Sequence, residues 1–439
     1  MLINLGTCGN PKKMNKQFTV IRTIHSVGQG AFYTEEFFDN DHNRTNTVVF
    51  DCGSETKIGQ SNCIKKMVNG AFREKQCIDI FFISHFDKDH VNGIEELTKK
   101  NRLIKNVVIP QLDGYQWFYV VENVCAYGES VKSTTGTVYN LKDLLTGGTS
   151  NGRDYEKARI IQVEPIDSDS SDNAGNFYRR DNAQPSVPSI REVGNSKGMI
   201  SSGTAFGIVS NPRWIFQPVN FTYKRDIKTL EKELQDILDK DDEFSHKSLS
   251  SLSSSELCKF IERYRTHINK VYNKVFPSTN ASSLCVYSGM LPSEQNSYSR
   301  TFSFITSTLF PDCSNRTYLN KCDGCLYTGD SVMDGVKHLE KTKYVLTSIE
   351  NWIDHLGILQ IPHHGSKYNF GKQAIGLIKQ KCHMNQKLPI LCFASFGSHN
   401  RYGHPSDALI SELLASDFVF TGITEDKATT LRQRIDVMA

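Results

Sequence analysis

The chain has 439 residues, of which 38% are hydrophobic and 23% charged, and its net charge is +3. This composition predicts a globular protein with a large core and excludes an overall electrostatic attraction to nucleic acid. No apolar run reaches the roughly 18 residues of a membrane span, so the sequence predicts no span and no transport channel. The start at residues 1–6 is too short and polar for a signal peptide, and the twelve cysteines show no framework. We therefore expect a cytoplasmic protein.

The first potential metal ligands lie in residues 85–90, with the sequence HFDKDH, directly after the apolar run 78–83. Two imidazoles and two carboxylates, those of His85, Asp87, Asp89 and His90, fall within one short turn. A buried strand that ends in such a turn can direct several ligands into a cleft. A solvated acidic turn with incidental histidines is the alternative.

Three further motifs end apolar, strand-like runs in the same way. Asp330 follows residues 326–329, His363 and His364 follow residues 359–362, and His404 lies in the segment 400–405 with the sequence NRYGHP. A single Gly-Asp or His-His-Gly motif would be a weak signal. Together with residues 85–90, these motifs predict a metal centre at one edge of a sheet, and hence a metal-dependent hydrolase.

These motifs resemble those of the metallo-β-lactamase superfamily, and within it the ComEC-type branch of DNA-uptake competence proteins. The resemblance includes residues 25–30 (HSVGQG), 48–53 (VVFDCG) and 280–286 (NASSLCV). It implies an α/β fold of four αββα layers in a single domain over residues 1–439. It also implies metal-dependent phosphodiester hydrolysis, with nucleic acid as the partner and DNA as the favoured substrate.

Two positions depart from the wider superfamily. Asp87 stands where the superfamily has a third histidine, although aspartate is usual there in the ComEC branch. Gln217 stands where many relatives supply another ligand histidine. Oxygen ligands shift the preference from zinc toward harder ions. We therefore expect one or two divalent ions, Mn²⁺ or Zn²⁺, with Mg²⁺ as a third candidate.

Each candidate residue has an expected role. Asp89, His90 and His404 are expected to hold one ion, and His85 and Asp87 the other, with His363 a candidate for either and Asp330 between them. Such ions would lower the pKa of a bound water to roughly 7 and make hydroxide available at neutral pH. Asp89, Asp330 and His364 are the expected catalytic residues. His364 either stabilises a leaving oxygen or only orients a neighbour, and both readings stay open.

Two insertions are predicted, at residues 111–213 and 222–277. The first contains a polar segment, 167–202, that is typical of a mobile loop. The second has the spacing of two amphipathic helices in a hairpin, with the basic residues Lys259, Arg263 and Lys270 on the second helix. These basic residues form a solvated face or contact phosphates. The insertions could also bind a protein partner.

Two other functions remain open. The first is a phosphodiesterase for a small or cyclic nucleotide, which would need a closed pocket instead of a long basic groove. The second is a metal-binding partner protein of low activity. The sequence decides neither between DNA and RNA nor the oligomeric state.

Overall fold

The computed structural model describes most of the chain. The described ranges are 16–59, 61–100, 102–111, 149–150, 153–154, 158–167, 187–193, 198–208, 210–222, 224–252, 254–275, 283–291, 300–305, 317–319, 323–334, 339–383 and 389–438.

The strands within these ranges are numbered in chain order. They are β1 (Lys16–Ile24), β2 (Phe32–Phe38), β3 (Arg44–Cys52), β4 (Lys57–Ile58), β5 (Ser61–Asn62), β6 (Cys77–Ile78), β7 (Ile80–Phe82), β8 (Leu103–Ile104), β9 (Asn106–Pro110), β10 (Thr149–Ser150), β11 (Arg153–Asp154), β12 (Arg159–Glu164), β13 (Ile166–Asp167), β14 (Met199–Ser201), β15 (Phe206–Ile208), β16 (Asn211–Val219), β17 (Phe221–Thr222), β18 (Cys285–Met290), β19 (Arg300–Ile305), β20 (Thr317–Leu319), β21 (Gly324–Tyr327), β22 (Leu356–Gln360), β23 (Leu391–Ser395), β24 (Val419–Ile423) and β25 (Leu431–Met438).

The α-helices are numbered in the same way. They are α1 (Cys63–Ala71), α2 (Lys88–Val91), α3 (Ile94–Thr98), α4 (Lys224–Leu238), α5 (Ser254–Val275), α6 (Leu339–Ser348), α7 (Lys372–His383) and α8 (Asp407–Ala415). Short 3-10 helices cover Leu249–Ser251, Ile353–His355, His363–Gly365 and Lys427–Thr429. None of the helices in the described ranges has the length and apolar content needed to cross a bilayer.

Two large sheets dominate the described part of the chain. The first has ten strands in the order β14-β12-β9-β7-β3-β2-β1-β25-β19-β20, and the second has seven in the order β15-β16-β18-β21-β22-β23-β24. The strands from β3 through β14 in the first sheet, and from β21 to β24 in the second, pair in parallel. Ligands commonly bind at the carboxyl ends of parallel strands, and each metal motif follows one of them.

The two sheets pack face to face through aromatic side chains. Phe50 on β3 stacks on Tyr327 of β21, with ring centroids 3.9 Å apart. Phe37 on β2 meets Trp214 of β16 edge to face at 5.6 Å. All four rings are buried in one apolar cluster that draws on both sheets. Such paired rings add to the stabilisation from apolar burial and fix the sheets against each other.

Helices cover the outer face of each sheet. Val68 of α1 and Leu97 of α3 pack with Phe81 of the first sheet in a second apolar cluster. Leu359 of the second sheet belongs to a third cluster with Leu413 of α8 and other helical residues. Strands such as β22, buried along their whole length, read as continuous apolar runs because both faces are covered. The predicted mixed α/β fold is confirmed.

The segment 111–213 is described only in part. Within it, β12 and β14 extend the ten-stranded sheet beyond β9, while β15 and the first residues of β16 lie at one end of the other sheet. Whether the segment is an insertion stays a prediction. Most of the polar segment 167–202 lies outside the described residues, so the predicted mobile loop stays a prediction.

The segment 222–277 contains the two helices that its periodicity predicts. Leu234 and Leu238 of α4 and Phe260 and Ile261 of α5 are all buried, in agreement with the helical spacing of these apolar residues. Whether the segment is an insertion stays a prediction.

Arg263, for which a solvated face and a phosphate contact were both open, forms ion pairs within the helical hairpin. Its guanidinium nitrogens lie 2.6 Å from Asp241 and 2.8 Å from Glu243, both in the connection between the helices. Tyr264 also donates a hydrogen bond to Asp241, at 2.7 Å. Arg263 therefore holds the hairpin together, while Lys270 remains exposed.

A buried ion pair lies between the sheets. Arg22 on β1 donates through Nε to Glu35 Oε1 on β2 at 2.7 Å, and the side chains are 1% and 0% exposed. Glu35 also accepts hydrogen bonds from Ser288 at 2.7 Å and Tyr327 at 3.0 Å, both in the second sheet. This network satisfies the buried carboxylate and links the two sheets.

Replacing Arg22 by Met should therefore lower the free energy of unfolding by about 3–5 kcal/mol, because Glu35 is left as an uncompensated buried charge. Denaturation by urea, followed by circular dichroism, measures this change. Arg434→Met is the control, since the half-exposed pair of Arg434 with Asp436 on β25 contributes at most about 1 kcal/mol. Equal losses in the two variants would contradict the assigned role of the pair.

Candidate metal centre

The predicted ligands lie after the carboxyl ends of parallel strands. His85 follows β7, Asp330 follows β21, His363 follows β22, and His404 follows β23. Asp89 and His90 lie in the single turn of α2. The carboxyl ends of strands from both sheets therefore meet at this edge.

His90 is fixed by Asp51, the second-last residue of β3. The Nδ1 atom of His90 lies 2.9 Å from Oδ2 of Asp51. Because a carboxylate only accepts hydrogen bonds, Nδ1 carries a proton, so in the neutral ring the lone pair is on Nε2. That Nε2 atom lies 3.3 Å from Oδ1 of Asp330.

Ser84 orients the ring of His85 so that its Nδ1 atom also carries the proton. The Ser84 hydroxyl donates to Asp51 at 2.7 Å, so its oxygen is left to accept from Nδ1 of His85 at 2.9 Å. The Nε2 lone pair of His85 then lies 3.5 Å from Asp87 and 3.8 Å from Asp330.

His364 repeats this arrangement from the second sheet. Its Nδ1 atom donates to the main-chain carbonyl of Ser395 at 2.6 Å. Its Nε2 atom lies 3.0 Å from Oδ2 of Asp89 and 3.7 Å from Oδ2 of Asp330. The three histidines thus direct Nε2 lone pairs at carboxylate oxygens.

This arrangement fits a cation. Lone pairs on nitrogen and carboxylate oxygen repel unless positive charge lies between them. The buried Nε2 atoms of His85, His90 and His364 make no hydrogen bond of good geometry, although carboxylates are near. Atoms that coordinate an ion converge on a common point instead of pointing at one another. The donor set of imidazole and carboxylate is that of divalent metal sites, so the residues present fit such an ion.

The pKa values reflect the same need for positive charge. Burial is the largest single influence and would lower the pKa of His90 and His364, but the nearby carboxylates, Asp330 first among them, together outweigh it. The pKa of His90 is held well above its usual range, and that of His364 is raised to about 8. Burial opposes ionisation of Asp89 too, yet the charges of His90 and His364 lower its pKa to about 2. A bound ion would replace the protons that these histidines otherwise carry.

The side chains group differently from the expected pairs. Among the residues that the structure describes, potential ligand atoms within 4.8 Å of one another form two sets, which share His90: His85 with His90 and Asp330, and Asp89 with His90 and His364. His364, expected only beside the centre, thus stands among the potential ligands.

His363 and His404 lie at the open side. Nε2 of His363 is 4.0 Å from Asp330, and its ring centroid is 5.8 Å from that of His404. Burial is the largest influence on both rings; it lowers the pKa of His363 and brings that of His404 to about 4. His404 belongs to neither of the two sets.

The expectation for Gln217 is wrong. Its amide nitrogen donates to the carbonyls of Gly203 at 2.7 Å and Ser348 at 2.9 Å. Its amide oxygen accepts from the indole of Trp352 at 2.6 Å. Gln217 therefore satisfies buried polar groups against α6 and offers no atom to the metal centre.

The His363-His364 turn is strained. Both residues have positive φ, 49° and 56°, which side chains with a Cβ seldom adopt. Gly365 follows at 88°. Such strain is retained where the surrounding structure requires one orientation, and here it brings His363 and His364 to Asp330.

Close backbone contacts hold α2 in place. A Cβ atom on Gly53 would lie 2.3 Å from the carbonyl carbon of Asp89 and 2.5 Å from the amide nitrogen of His90. The amide of Ala31 also donates to the carbonyl of Asp89 at 3.0 Å. The glycine turn at residues 28–30 and Gly53 thus fix the peptide that carries two candidate ligands.

A cleft of about 480 Å³, open to solvent, gives access to the centre. Its lining comprises Asp87, Asp89, Asp330, His363, His364 and His404, together with Gln29, Glu55, Lys88 and Tyr402.

The sequence did not identify the partners that orient the histidines. Asp51 was noted only as part of the motif 48–53, and neither Ser84 nor Ser395 was singled out. A local signal existed for Asp51, since it is a charged residue at the end of an apolar strand, close to glycine. The carbonyl of Ser395 carries no sequence signal, because every residue has one.

The sequence matches no model of a protein family, and no curated protein is significantly similar to it. Among solved structures, the chain is similar to a crystal structure of a long form RNase Z from yeast, with 8% identity and a TM-score of 0.32. The likeness covers 86% of this chain and 36% of that chain, so the protein spans about a third of the other's length.

Replacing Asp51 by Asn should weaken metal binding about 10- to 100-fold, the usual effect of removing a ligand's partner. The side-chain amide of the Asp51→Asn variant would have one nitrogen that donates hydrogen bonds, and this nitrogen would face either His90 Nδ1 or the Ser84 hydroxyl, which both donate to Asp51. The histidine held by that contact would then favour the tautomer with its proton on Nε2, which cannot bind a metal ion through that atom. Titration calorimetry with Mn²⁺ and with Zn²⁺ measures the affinity.

Asp79→Asn is the matched control for Asp51→Asn. Asp79 is a similarly buried carboxylate that accepts from the Thr47 amide and from Lys105, away from the histidines. Metal affinity that falls equally in both variants would argue against a specific role for Asp51.

Gly53→Ala should lower the free energy of unfolding by about 1–3 kcal/mol and weaken metal binding as well, because the added methyl group displaces the peptide between Asp89 and His90. Gly70→Ala in α1 is the control, since a Cβ there has no neighbour within 4 Å and alanine favours the helix. Unchanged metal affinity in Gly53→Ala would show that this contact does not position α2.

Proposed function

We propose that the protein is a metal-dependent phosphodiester hydrolase of the metallo-β-lactamase superfamily and that it acts on DNA. The observation that carries the proposal is the set of three buried imidazoles, His85, His90 and His364, whose Nε2 atoms face the carboxylates of Asp87, Asp89 and Asp330. The coarser part of the proposal, a metal-dependent hydrolase, follows from the chemistry of these groups. The preference for DNA follows from the motif resemblance to the ComEC branch.

The packing of the sheets supports the superfamily assignment. Apolar clusters join the two sheets to each other and each sheet to helices on its outer face. We propose that this is the four-layer αββα arrangement, in a single domain over residues 1–439 with insertions at 111–213 and 222–277. The candidate ligands follow the carboxyl ends of strands from both sheets, and this placement agrees with that arrangement.

The proposed ligands are His85, Asp87, Asp89, His90, Asp330, His363, His364 and His404. Asp330 is the central one, because its oxygens lie 3.3 to 4.0 Å from four imidazole nitrogens. A divalent ion, when bound there, supplies Lewis acidity that makes water more acidic and polarises a phosphoryl oxygen.

The other side chains of the cleft orient the water and the substrate. Asp89 is 14% exposed and ionised, so it can orient an attacking water from the cleft side. Lys88 on the cleft wall can pair with a phosphate oxygen. The Ser395 carbonyl fixes the ring of His364, which favours the ligand role over proton donation to a leaving oxygen.

Manganese is the proposed metal. Asp87, Asp89 and Asp330 contribute oxygen donors in addition to the imidazoles, and such mixed sites suit Mn²⁺ at least as well as Zn²⁺. Zn²⁺ and Mg²⁺ are the alternatives, and activity assays of the metal-free protein with each ion in turn distinguish them from Mn²⁺.

A second candidate function is a phosphodiesterase for small or cyclic nucleotides, for which the cleft beside His363, His404 and Tyr402 would be the binding site. A metal-binding partner protein of low activity is the third possibility. A cytoplasmic location remains the expectation, and the described cysteines form no disulfide with one another.

Replacing Asp330 by Asn should reduce the rate of DNA cleavage by more than about a hundredfold. Loss of a residue that only orients a metal ligand lowers activity about 10- to 100-fold, and Asp330 is proposed as a direct ligand, so its loss should cost more. The wild-type protein should lose activity with a chelator and regain it better with Mn²⁺ than with Zn²⁺. Cleavage of linear and plasmid DNA, RNA and cyclic nucleotides, each at two salt concentrations, is the measurement.

Asp242→Asn, which changes an exposed carboxylate in the helical region, is the control and should keep full activity. A full-rate Asp330→Asn enzyme would contradict the metal-centre assignment. Cleavage confined to cyclic nucleotides would replace DNA by the second candidate, and no turnover with any ion in folded protein would favour the binding partner.

A further inference from the structure

Two tyrosines near the metal centre are exposed. Among the residues whose burial is described, the large hydrophobic side chains that are exposed are Ile58, Tyr368, Tyr402 and Leu414. Tyr368 is 78% exposed and Tyr402 44%. Both lie in loops that carry histidines of the centre, Tyr368 four residues after His364 and Tyr402 two residues before His404.

Tyr402 forms part of the cleft wall and is held rigidly. Its ring lies parallel to that of His404, with centroids 6.4 Å apart and an interplanar angle of 16°. The Asn400 side chain accepts hydrogen bonds from the amides of Tyr402 at 3.1 Å and His404 at 3.2 Å. The ring is therefore fixed beside the histidines while much of its surface faces water.

Tyr368 lies in a turn that is attached to Asp330. Its amide donates to the Ser366 hydroxyl at 3.3 Å, and its neighbour Asn369 donates to the carbonyl of Asp330 at 3.3 Å. Lys367 places its ammonium 5.2 Å from the ring centroid of Tyr368. An aromatic face and a cation are thus presented together next to the centre.

These features suit a nucleic acid whose bases are accessible. Aromatic rings on rigid loops stack on bases, and every base offers a π-face. Lys88 and Lys367 supply positive charge for the phosphates between such bases. Inside a duplex the bases are already stacked on one another, so the rings would find a free base face only at its ends.

We infer that Tyr402 and Tyr368 are stacking platforms for two bases of a single-stranded nucleic acid, or of a frayed duplex end, beside the metal centre. The inference rests on the proposed function and narrows its substrate class. A cyclic mononucleotide could occupy one platform only. Stacking is common to DNA and RNA, so both are included in the test.

Binding is measured without turnover, by fluorescence anisotropy of a labelled single-stranded phosphorothioate oligonucleotide with the full chain and Mn²⁺. Tyr402→Ala and Tyr368→Ala should each weaken binding at least about fivefold, while the Phe variants retain the affinity because they keep the ring. Leu414→Ala, which removes an exposed apolar side chain of α8, is the control and should bind as the wild type does.

The salt dependence separates stacking from charge. Tyr402→Ala should leave the slope of binding against salt concentration unchanged, whereas Lys367→Gln should reduce it, because only the lysine displaces counterions. Blunt duplex DNA should bind more weakly than the single strand, and a mononucleotide should not compete at equal base concentration.

The inference is overturned if the Ala variants bind as the wild type does, or if duplex and single strand bind equally well. A different outcome would contradict the proposed function alone: DNA and RNA bind in a tyrosine-dependent way but are not hydrolysed with any ion. Hydrolysis with tyrosine-independent binding refutes only the stacking platforms.

Discussion

The structure depends on one electrostatic constraint: lone pairs on nitrogen and oxygen are brought together in a buried place, where they repel unless positive charge lies between them. Each of the three central imidazoles has its Nδ1 proton committed to the protein, to Ser84, Asp51 or Ser395. The Nε2 atoms are therefore available only toward the carboxylates. Positive charge, from protons on the imidazoles or from a bound cation, offsets this repulsion, so the cluster could hold a metal ion.

The packing between the sheets sets the distances in the centre. Asp51 comes from the first sheet and Asp330 from the second, and the stacked rings of Phe50 and Tyr327 lie just before them in sequence. Gln360 strengthens the connection, since its amide oxygen accepts from Thr328 at 2.9 Å and its amide nitrogen donates to the Tyr33 hydroxyl at 3.3 Å. A shift of one sheet against the other would separate the ligands.

Local patterns predicted the two helices of the hairpin and several of the side chains that the structure brings together at the sheet edge. An apolar run that ends in Asp or His is a local signal, and so is the helical spacing of Leu234 and Leu238. Local patterns could not identify the groups that orient the histidines, because these groups are distant in sequence. Asp51 lies 39 residues from His90, and Ser395 lies 31 residues from His364. The prediction that Gln217 lies at a ligand position was wrong for a related reason. The register of its strand decides which face of the sheet the side chain lies on, and register is not a local property of the sequence.

The fixed backbone around α2 bears on how a proposed metal ion would be acquired. Gly53 leaves no free space beside the peptide of Asp89 and His90, and the ring orientations are set by protein groups alone. The conformational entropy of ordering these ligands is thus lost during folding and not when an ion arrives. If the site binds divalent ions, exchange of one for another would require no refolding, so the occupant would follow both the availability of each ion and the affinity of the site for it.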